Sequence, residues 1–513
     1  MVGYRESEWI KTGPLADVGT RGTSLPSFFL GLPFFVMASI CIGLGVNELD
    51  WQLLVITTIS AAFGASDLVD AIRLTRDIFS PRALLSIPIV IGVYITPLMH
   101  ISLEAYPLHI QLPSDMSAAL LNLSLIHLVG ILTYFFTVRL TSTSNRVGVE
   151  LKSAPLEATR YIGTVSNWMS VLGLFSLAIF IYTVIASGGP SEWLDSQLNY
   201  REQLHTPGWI LVIAEAFPIL FFAAYAASLH ASTLNRTQLR NRMIIALLAL
   251  IMLTFISSGM RGSRANLIWP LLTALIIIHL LFIRIRARWL VFIAVAILAF
   301  SGAYDLYKKV GVGGLTEQGL IAVERAQENL AYNFGIESLL MGDFSRTAIQ
   351  AILLDRWDTG TFSPHWGATY VGDIVEFLPA VRPSAQFPSK TISATEILYG
   401  PGTSMTGKFT TQIYGIQGEG LINFGPVGAV LVLIPFGFIV RSMERTYARA
   451  SGDHLFRSAL YVALLLPCVV LLYLSDLDNV IKTLATNALL PMLAIALSGT
   501  PVSAITPQLH RRT

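Results

Sequence analysis

The chain has 513 residues, of which 53% are hydrophobic and only 13% charged, and its mean hydropathy is +0.63. Soluble globular proteins carry roughly 25% charged residues, so a soluble enzyme is excluded. Thirty-four basic against 32 acidic residues leave a net charge of +2, which excludes the composition of a disordered chain and gives no support to nucleic-acid binding.

A bilayer core about 30 Å thick takes about 20 apolar residues per helix. Twelve runs near that length follow in chain order at 27–46, 51–66, 83–101, 116–138, 166–187, 208–228, 243–258, 266–283, 289–303, 420–440, 458–475 and 483–499. The first follows about 26 mostly polar residues and has no small-residue cleavage pattern behind it, so it reads as a retained helix and not a secretory signal. Cys41 and Cys468 both lie inside apolar runs, which implies neither a disulfide framework nor a zinc site.

Lysine and arginine mark the cytoplasmic side of a membrane protein. With the N-terminus inside, the inner segments hold 22 of the 34 basic residues, and the short outer loops hold only Arg201, Arg261, Arg264 and Lys482. The expected organisation is an inner N-terminal segment at 1–26, helices one to nine over 27–303, a long outside segment at 304–419, helices ten to twelve over 420–499, and an inner tail at 500–513. Both termini are expected inside. The outside segment begins at Gly311, Gly313 and Gly314, passes a helical stretch near 317–353 and then carries Pro364, Pro379, Pro383, Pro388 and Pro401; it is expected to cap the outer face of the bundle.

The outer arginines run against the topology rule. Arg261 and Arg264 sit in the hydroxyl-rich turn Ser257-Ser258-Gly259-Met260-Arg261-Gly262-Ser263-Arg264, where two guanidinium groups and backbone N–H groups suit an anion at headgroup depth. Arg201 lies on the loop between the fifth and sixth runs, where it serves either function or a plain surface pair with Glu202. Glu215 stands seven positions into the sixth run, and an ionisable group there is a functional candidate. His127 and His279 are read as buried histidines satisfied by neighbours ahead of proton relays, and no metal site is expected. In the long segment Glu337, Asp343, Asp355, Arg356, Asp358, Asp373, Glu376, Lys390 and Lys408 read mostly as solvated charges, while Arg346 and Arg382 stand out for the turn residues beside them, and His365 is a further titratable group. The stretch Gly415–Ala429 is rich in small residues that let helices approach closely; that explains its glycines but not Glu419, which shares a face with Asn423 toward the outer cavity.

A roughly twelve-helix chain with a large late outside loop, the turn at 260–264 and the run Gly418-Glu419-Gly420-Leu421-Ile422-Asn423-Phe424-Gly425-Pro426-Val427-Gly428 resembles the Wzy-type oligosaccharide repeat-unit polymerases, also called O-antigen or exopolysaccharide polymerases. The resemblance implies an all-α, polytopic, GT-C-like bundle in the bacterial inner membrane, its large periplasmic loop capping the outer face. It implies a metal-independent glycosyltransferase without cofactor. Its partners would be undecaprenyl-diphosphate-linked donor and acceptor, membrane lipids and a chain-length regulator protein. On that pattern Arg201, Arg261 and Arg264 would clamp the donor diphosphate, with Arg346 and Arg382 contributed by the cap. Glu419, His365 and Glu215 are the candidates for the base that takes the acceptor proton. A lipid-linked oligosaccharide flippase or other transporter remains the alternative from another class, although it leaves the long outside segment unexplained. An O-antigen ligase, with the same donor and another acceptor, is the nearer one.

Overall fold

The computed structural model describes residues 31–40, 50–70, 77–140 apart from 105 and 107–109, 155–193, 208–259, 265–300 in part, 340–341, 345–377, 387–406, 412–452 and 456–499, and every element among them is a helix. In chain order these are α1 (Gly31–Ile40), α2 (Trp51–Asp70), α3 (Pro81–Leu103), α4 (Met116–Leu140), α5 (Pro155–Ala186), α6 (Gly208–Ala214), α7 (Phe217–His230), α8 (Arg236–Ser257) and α9 (Ala265–Leu281). Further along the chain come α10 (Thr347–Asp358), α11 (Ala368–Glu376) and α12 (Lys390–Tyr399), and then α13 (Gly415–Leu431), α14 (Leu433–Gly452), α15 (Phe456–Leu474) and α16 (Leu477–Leu497).

Eight of them are long and apolar enough to cross a membrane, counting α6 and α7 together as Trp209–His230, and the bent pair α13–α14 is either a ninth, broken span or a re-entrant loop. The chain is therefore a polytopic helical membrane protein. Of the twelve apolar runs, those at α1 and α9 form shorter helices, and the run at 289–303 falls mostly outside the described residues. α4 is apolar all round, as membrane burial demands: it turns Leu120, Leu123 and Ile131 inward while Leu125, Val129 and Phe136 remain exposed on its other face.

Local chemistry sets the irregular places. In α3 a π-helical stretch, Ile91–Ile95, sends the N–H of Thr96 back to Ile91 O. Pro97 has no N–H to offer, so the Gly92 carbonyl is released from the ladder and accepts Thr347 Oγ1 at 2.9 Å instead. Similarly Pro218 frees the carbonyl of Ala214 at the α6–α7 break, and Ser176 Oγ on α5 donates there at 3.2 Å and to Ile213 O at 2.6 Å.

One end of the bundle is tied by charge. Asp67 at the end of α2 receives Arg139 Nη2 at 2.8 Å and Arg82 Nη1 at 3.4 Å, while Arg82 Nε also donates to Glu444 of α14, whose second oxygen takes Arg441 Nη1 at 3.3 Å. Beside this network Asp77 accepts Phe79 N–H at 3.1 Å and Tyr447 Oη–H at 2.7 Å and faces His279 Nε2 at 3.2 Å, and Ile285 N–H donates to His279 Nδ1 at 3.0 Å. Burial works against the Asp77 charge, but the donors on it outweigh burial and hold its pKa below the usual carboxylate range. His279 is thus a satisfied buried histidine, as expected.

The segment between α9 and α13 does more than cover a surface. Thr347, the first residue of α10, is level with Gly92 in mid-α3, and Gln350 is level with His127 in mid-α4. At the other end of α10, Arg356 reaches Gln111, just ahead of α4. α10 therefore starts in the middle of the bundle and runs outward, away from the Asp67 end.

α13 is a helical hairpin. Gly425 has φ 69° and ψ −165°, and a Cβ on either Gly420 or Gly428 would collide with the carbonyl of the other, although eight residues of straight helix span roughly 12 Å. A Cβ on Gly425 itself would meet the Trp357 ring at 2.7 Å. The chain then continues into α14 at a bend of 58°. The apolar pattern predicts a single run over 420–440; Gly425-Pro426 breaks it, because Pro426 removes the N–H that would hold Ile422 O. The freed carbonyls of Ile422 and Asn423 accept the N–H groups of His365 and Trp366 at 3.2 and 2.8 Å. To deliver both, Trp366 takes φ 52°, and Gly367 follows at φ 85°.

Candidate functional site

Glu419 lies on the first arm of the hairpin, in a buried polar cluster assembled from five stretches of chain. At its centre is Lys390, the first residue of α12 and fully buried. Its ammonium forms ion pairs with Asp476 Oδ2 at 2.5 Å and Asp478 Oδ2 at 3.5 Å and donates to Gln412 O at 3.3 Å. Its backbone N–H, at the start of α12, donates to Asp373 Oδ1 of α11 at 2.9 Å. α11 can come this close because residue 372 is glycine: a Cβ there would overlap the Pro388 carbonyl. Asp476, between α15 and α16, also accepts Tyr414 N–H at 2.8 Å, which pins the start of the hairpin.

Glu419 Oε2 accepts Leu477 N–H at 3.0 Å, and Asn423, one turn on, donates to Glu419 O at 3.0 Å and to Thr369 Oγ1 at 2.7 Å. Glu419 Oε1 and Asp373 Oδ2 meet no donor among the described residues, and the two carboxyl groups are neighbours. A proton shared between them would satisfy both. Burial pushes the Asp373 pKa up to about 6 against the pull of the Lys390 N–H, and burial raises Asp476 despite its ammonium partner. Burial opposes the Lys390 charge too, but Asp476 and Asp478 more than offset it and raise its pKa.

No family model, curated protein or solved structure matches the chain. The reading of the site rests on its own chemistry. Among the described residues, no three His, Cys, Asp or Glu side chains are grouped to hold a metal ion.

The residues singled out from sequence are distributed unevenly over this geometry. Glu419 is at the centre of the cluster, with 2% of its surface exposed. His365 is half-buried at the hairpin tip, where burial pushes its pKa down, and its N–H caps the first arm. Glu215 is buried in the α6–α7 break, which packs on α5 and on the π-helical stretch Ala485–Leu489 of α16, a different set of neighbours from those of Glu419. Arg346 precedes α10 and borders a cavity in mid-bundle, with its Nε donating to Leu474 O at 3.4 Å. Arg201, Arg261, Arg264 and Arg382 lie outside the described residues. Asp373 and Lys390, read from sequence as solvated charges, are instead wholly buried, because the folds of α11 and α12 against the hairpin enclose them. Asp476 and Asp478 had one local signal: they stand together between two apolar runs.

Proposed function

We propose that the chain is a multi-pass glycosyltransferase of the bacterial inner membrane. It polymerises undecaprenyl-diphosphate-linked oligosaccharide repeat units on the periplasmic face, with no metal or cofactor taking part. The observation that carries this reading is the course of the outer segment, which enters the bundle and brings Arg346 to a mid-bundle cavity beside the hairpin holding Glu419. A leaving diphosphate needs fixed positive charge when its bond to the sugar breaks. Arg346 supplies a permanent cation from inside the bundle, and Arg201, Arg261, Arg264 and Arg382 would complete the clamp. Glu419, His365 and Glu215 are the acid–base candidates from sequence. The cluster around Lys390 fixes the hairpin that carries Glu419, so the site is held by its own ion pairs. A chain-length regulator protein is the expected protein partner.

The test is the glycan ladder from cells lacking the chromosomal copy, complemented with wild-type, Arg346→Ala or Arg264→Ala chains at matched membrane abundance. Single repeat units in the deletion and in both variants, against long chains in the wild type, support the reading. Repeat units that never reach the periplasm in the deletion would replace it with a transporter.

A further inference from the structure

The cavity beside Arg346 holds a group that the acid–base candidates above do not include. It has a volume of ≈ 30 Å³, room for roughly two waters, and its lining includes His127, Gln350, Gln417, Arg346, Tyr473 and Gly92. His127, on mid-α4, is only 4% exposed. Its chemistry is fixed by a chain of hydrogen bonds. Gln350 Nε2 donates to Tyr414 O at 2.6 Å, so the other atom of that amide, Oε1, is an acceptor, and it lies 2.8 Å from His127 Nε2. The ring proton therefore sits on Nε2, and Nδ1 presents a lone pair. That lone pair is buried and has no partner among the described residues. A buried imidazole with one nitrogen locked as donor and the other left open as acceptor is the arrangement of a general base oriented by a neighbour. Close by, Gly415 takes φ 69°, and the Arg346 side chain packs beside it, its Cγ at contact distance, 3.6 Å, from where a Cβ would stand.

We propose that His127 is the catalytic base, taking the acceptor sugar's hydroxyl proton at Nδ1 in this cavity, an assignment that rests on the glycosyl-transfer reading above. The acceptor hydroxyl takes the place of a cavity water. Its oxygen bonds to the donor's anomeric carbon as the bond from that carbon to the diphosphate oxygen breaks. The electron pair of the broken bond leaves with undecaprenyl diphosphate, beside the Arg346 guanidinium. The hydroxyl proton moves to Nδ1, and the imidazolium later returns it to water. Gln350 is a positioning residue, acting through the tautomer.

The test uses the full chain in lipid nanodiscs with lipid-linked repeat units extracted from the deletion strain. His127→Ala is expected to lower the polymerisation rate by roughly a hundredfold or more. Added imidazole should restore at least a tenfold part of that loss, whereas pyrrole, a ring of the same size without a basic nitrogen, should not. Gln350→Leu, which keeps the volume but releases the tautomer, should lose roughly tenfold, and it serves if His127→Ala fails to fold. Equal rescue by imidazole and pyrrole, or a Gln350→Leu rate within twofold of wild type, would overturn the assignment while leaving the polymerase reading standing. A wild-type protein that makes no polymer from these units, with repeat units retained on the cytoplasmic side of the deletion strain, would overturn both.

Discussion

The two polar ends of the bundle are built on opposite principles. At the Asp67 end, Arg82, Arg139 and Arg441 alternate with Asp67 and Glu444, and both acids there are shared between two guanidinium groups. Among the described residues, no carboxylate oxygen in that network is a buried atom without a partner. At the Asp476 end, four carboxylates, Asp373, Glu419, Asp476 and Asp478, gather round one ammonium, and three of their oxygens lack a hydrogen-bond donor among the described residues, Asp476 Oδ2 meeting the ammonium as an ion pair. The first arrangement is redundant and fastens α2, α3, α4 and α14 together. The second crowds carboxylates in a dry site, where burial, and then the neighbouring Asp478 charge, raise the pKa of Asp373 and Asp476. Buried, unbalanced acid clusters of that kind are characteristic of functional sites, and this one secures the hairpin beside the Arg346 cavity.

The largest effect should follow from removing the lone cation. Lys390→Met keeps the volume of the side chain but leaves Asp476 and Asp478 without their ammonium, and breaking a buried pair from one side costs about 3–5 kcal/mol. Melting followed by fluorescence size exclusion should show loss of the folded peak or a fall of many degrees. A variant that melts like wild type would mean that the Asp476 end is not held by this charge.

Asp373→Asn should act in the opposite direction. Asn keeps an oxygen for Lys390 N–H and brings an N–H to the side of Glu419, whose Oε1 meets no donor among the described residues. A carboxyl whose folded pKa is raised from 3.8 to about 6 contributes stability that is full below pH 3.8 and is lost as pH rises through about 6. The wild type should therefore lose stability across that window, and Asp373→Asn should flatten the loss, gaining up to about 2 kcal/mol above pH 7. The melting temperature of both proteins against pH is the measurement; parallel curves would show that Asp373 ionises freely and that the two ends differ less than their geometry implies.

How much of this was legible beforehand depended on range. The apolar runs gave the spans because membrane burial is a local property of about twenty residues. Glu419 stood out because a carboxylate among Gly418, Gly420 and Gly425 has no packing explanation. The hairpin was missed although Gly425-Pro426 carried its signal, since a glycine and a proline in an apolar run also fit a kinked span. Lys390 and Asp373 look like any other charges of a long polar segment; their burial is decided by Asp476, 86 positions further on from Lys390, and by the close crossing at Gly372. His127 was half right: Nε2 is satisfied, by a partner 223 residues away, and Nδ1 is not.

The smallest effect is expected at the redundant end, and it makes the comparison sharpest. Arg82→Gln removes one guanidinium, but Asp67 keeps Arg139 and Glu444 keeps Arg441. The Arg82 side chain is also 32% exposed, so water and salt screen what it contributes, and the cost should be about 1 kcal/mol or less. The double variant Arg82→Gln with Arg139→Gln strips Asp67 of both partners while that carboxylate stays 6% exposed. Its loss should exceed the sum of the two single losses by about 1 kcal/mol or more, because the second removal leaves the charge unpaired. A double-mutant cycle read by thermal melting at low and high salt measures that excess. Additive losses would mean that the arginines act singly, and the contrast with Lys390 would then rest on burial alone and not on redundancy.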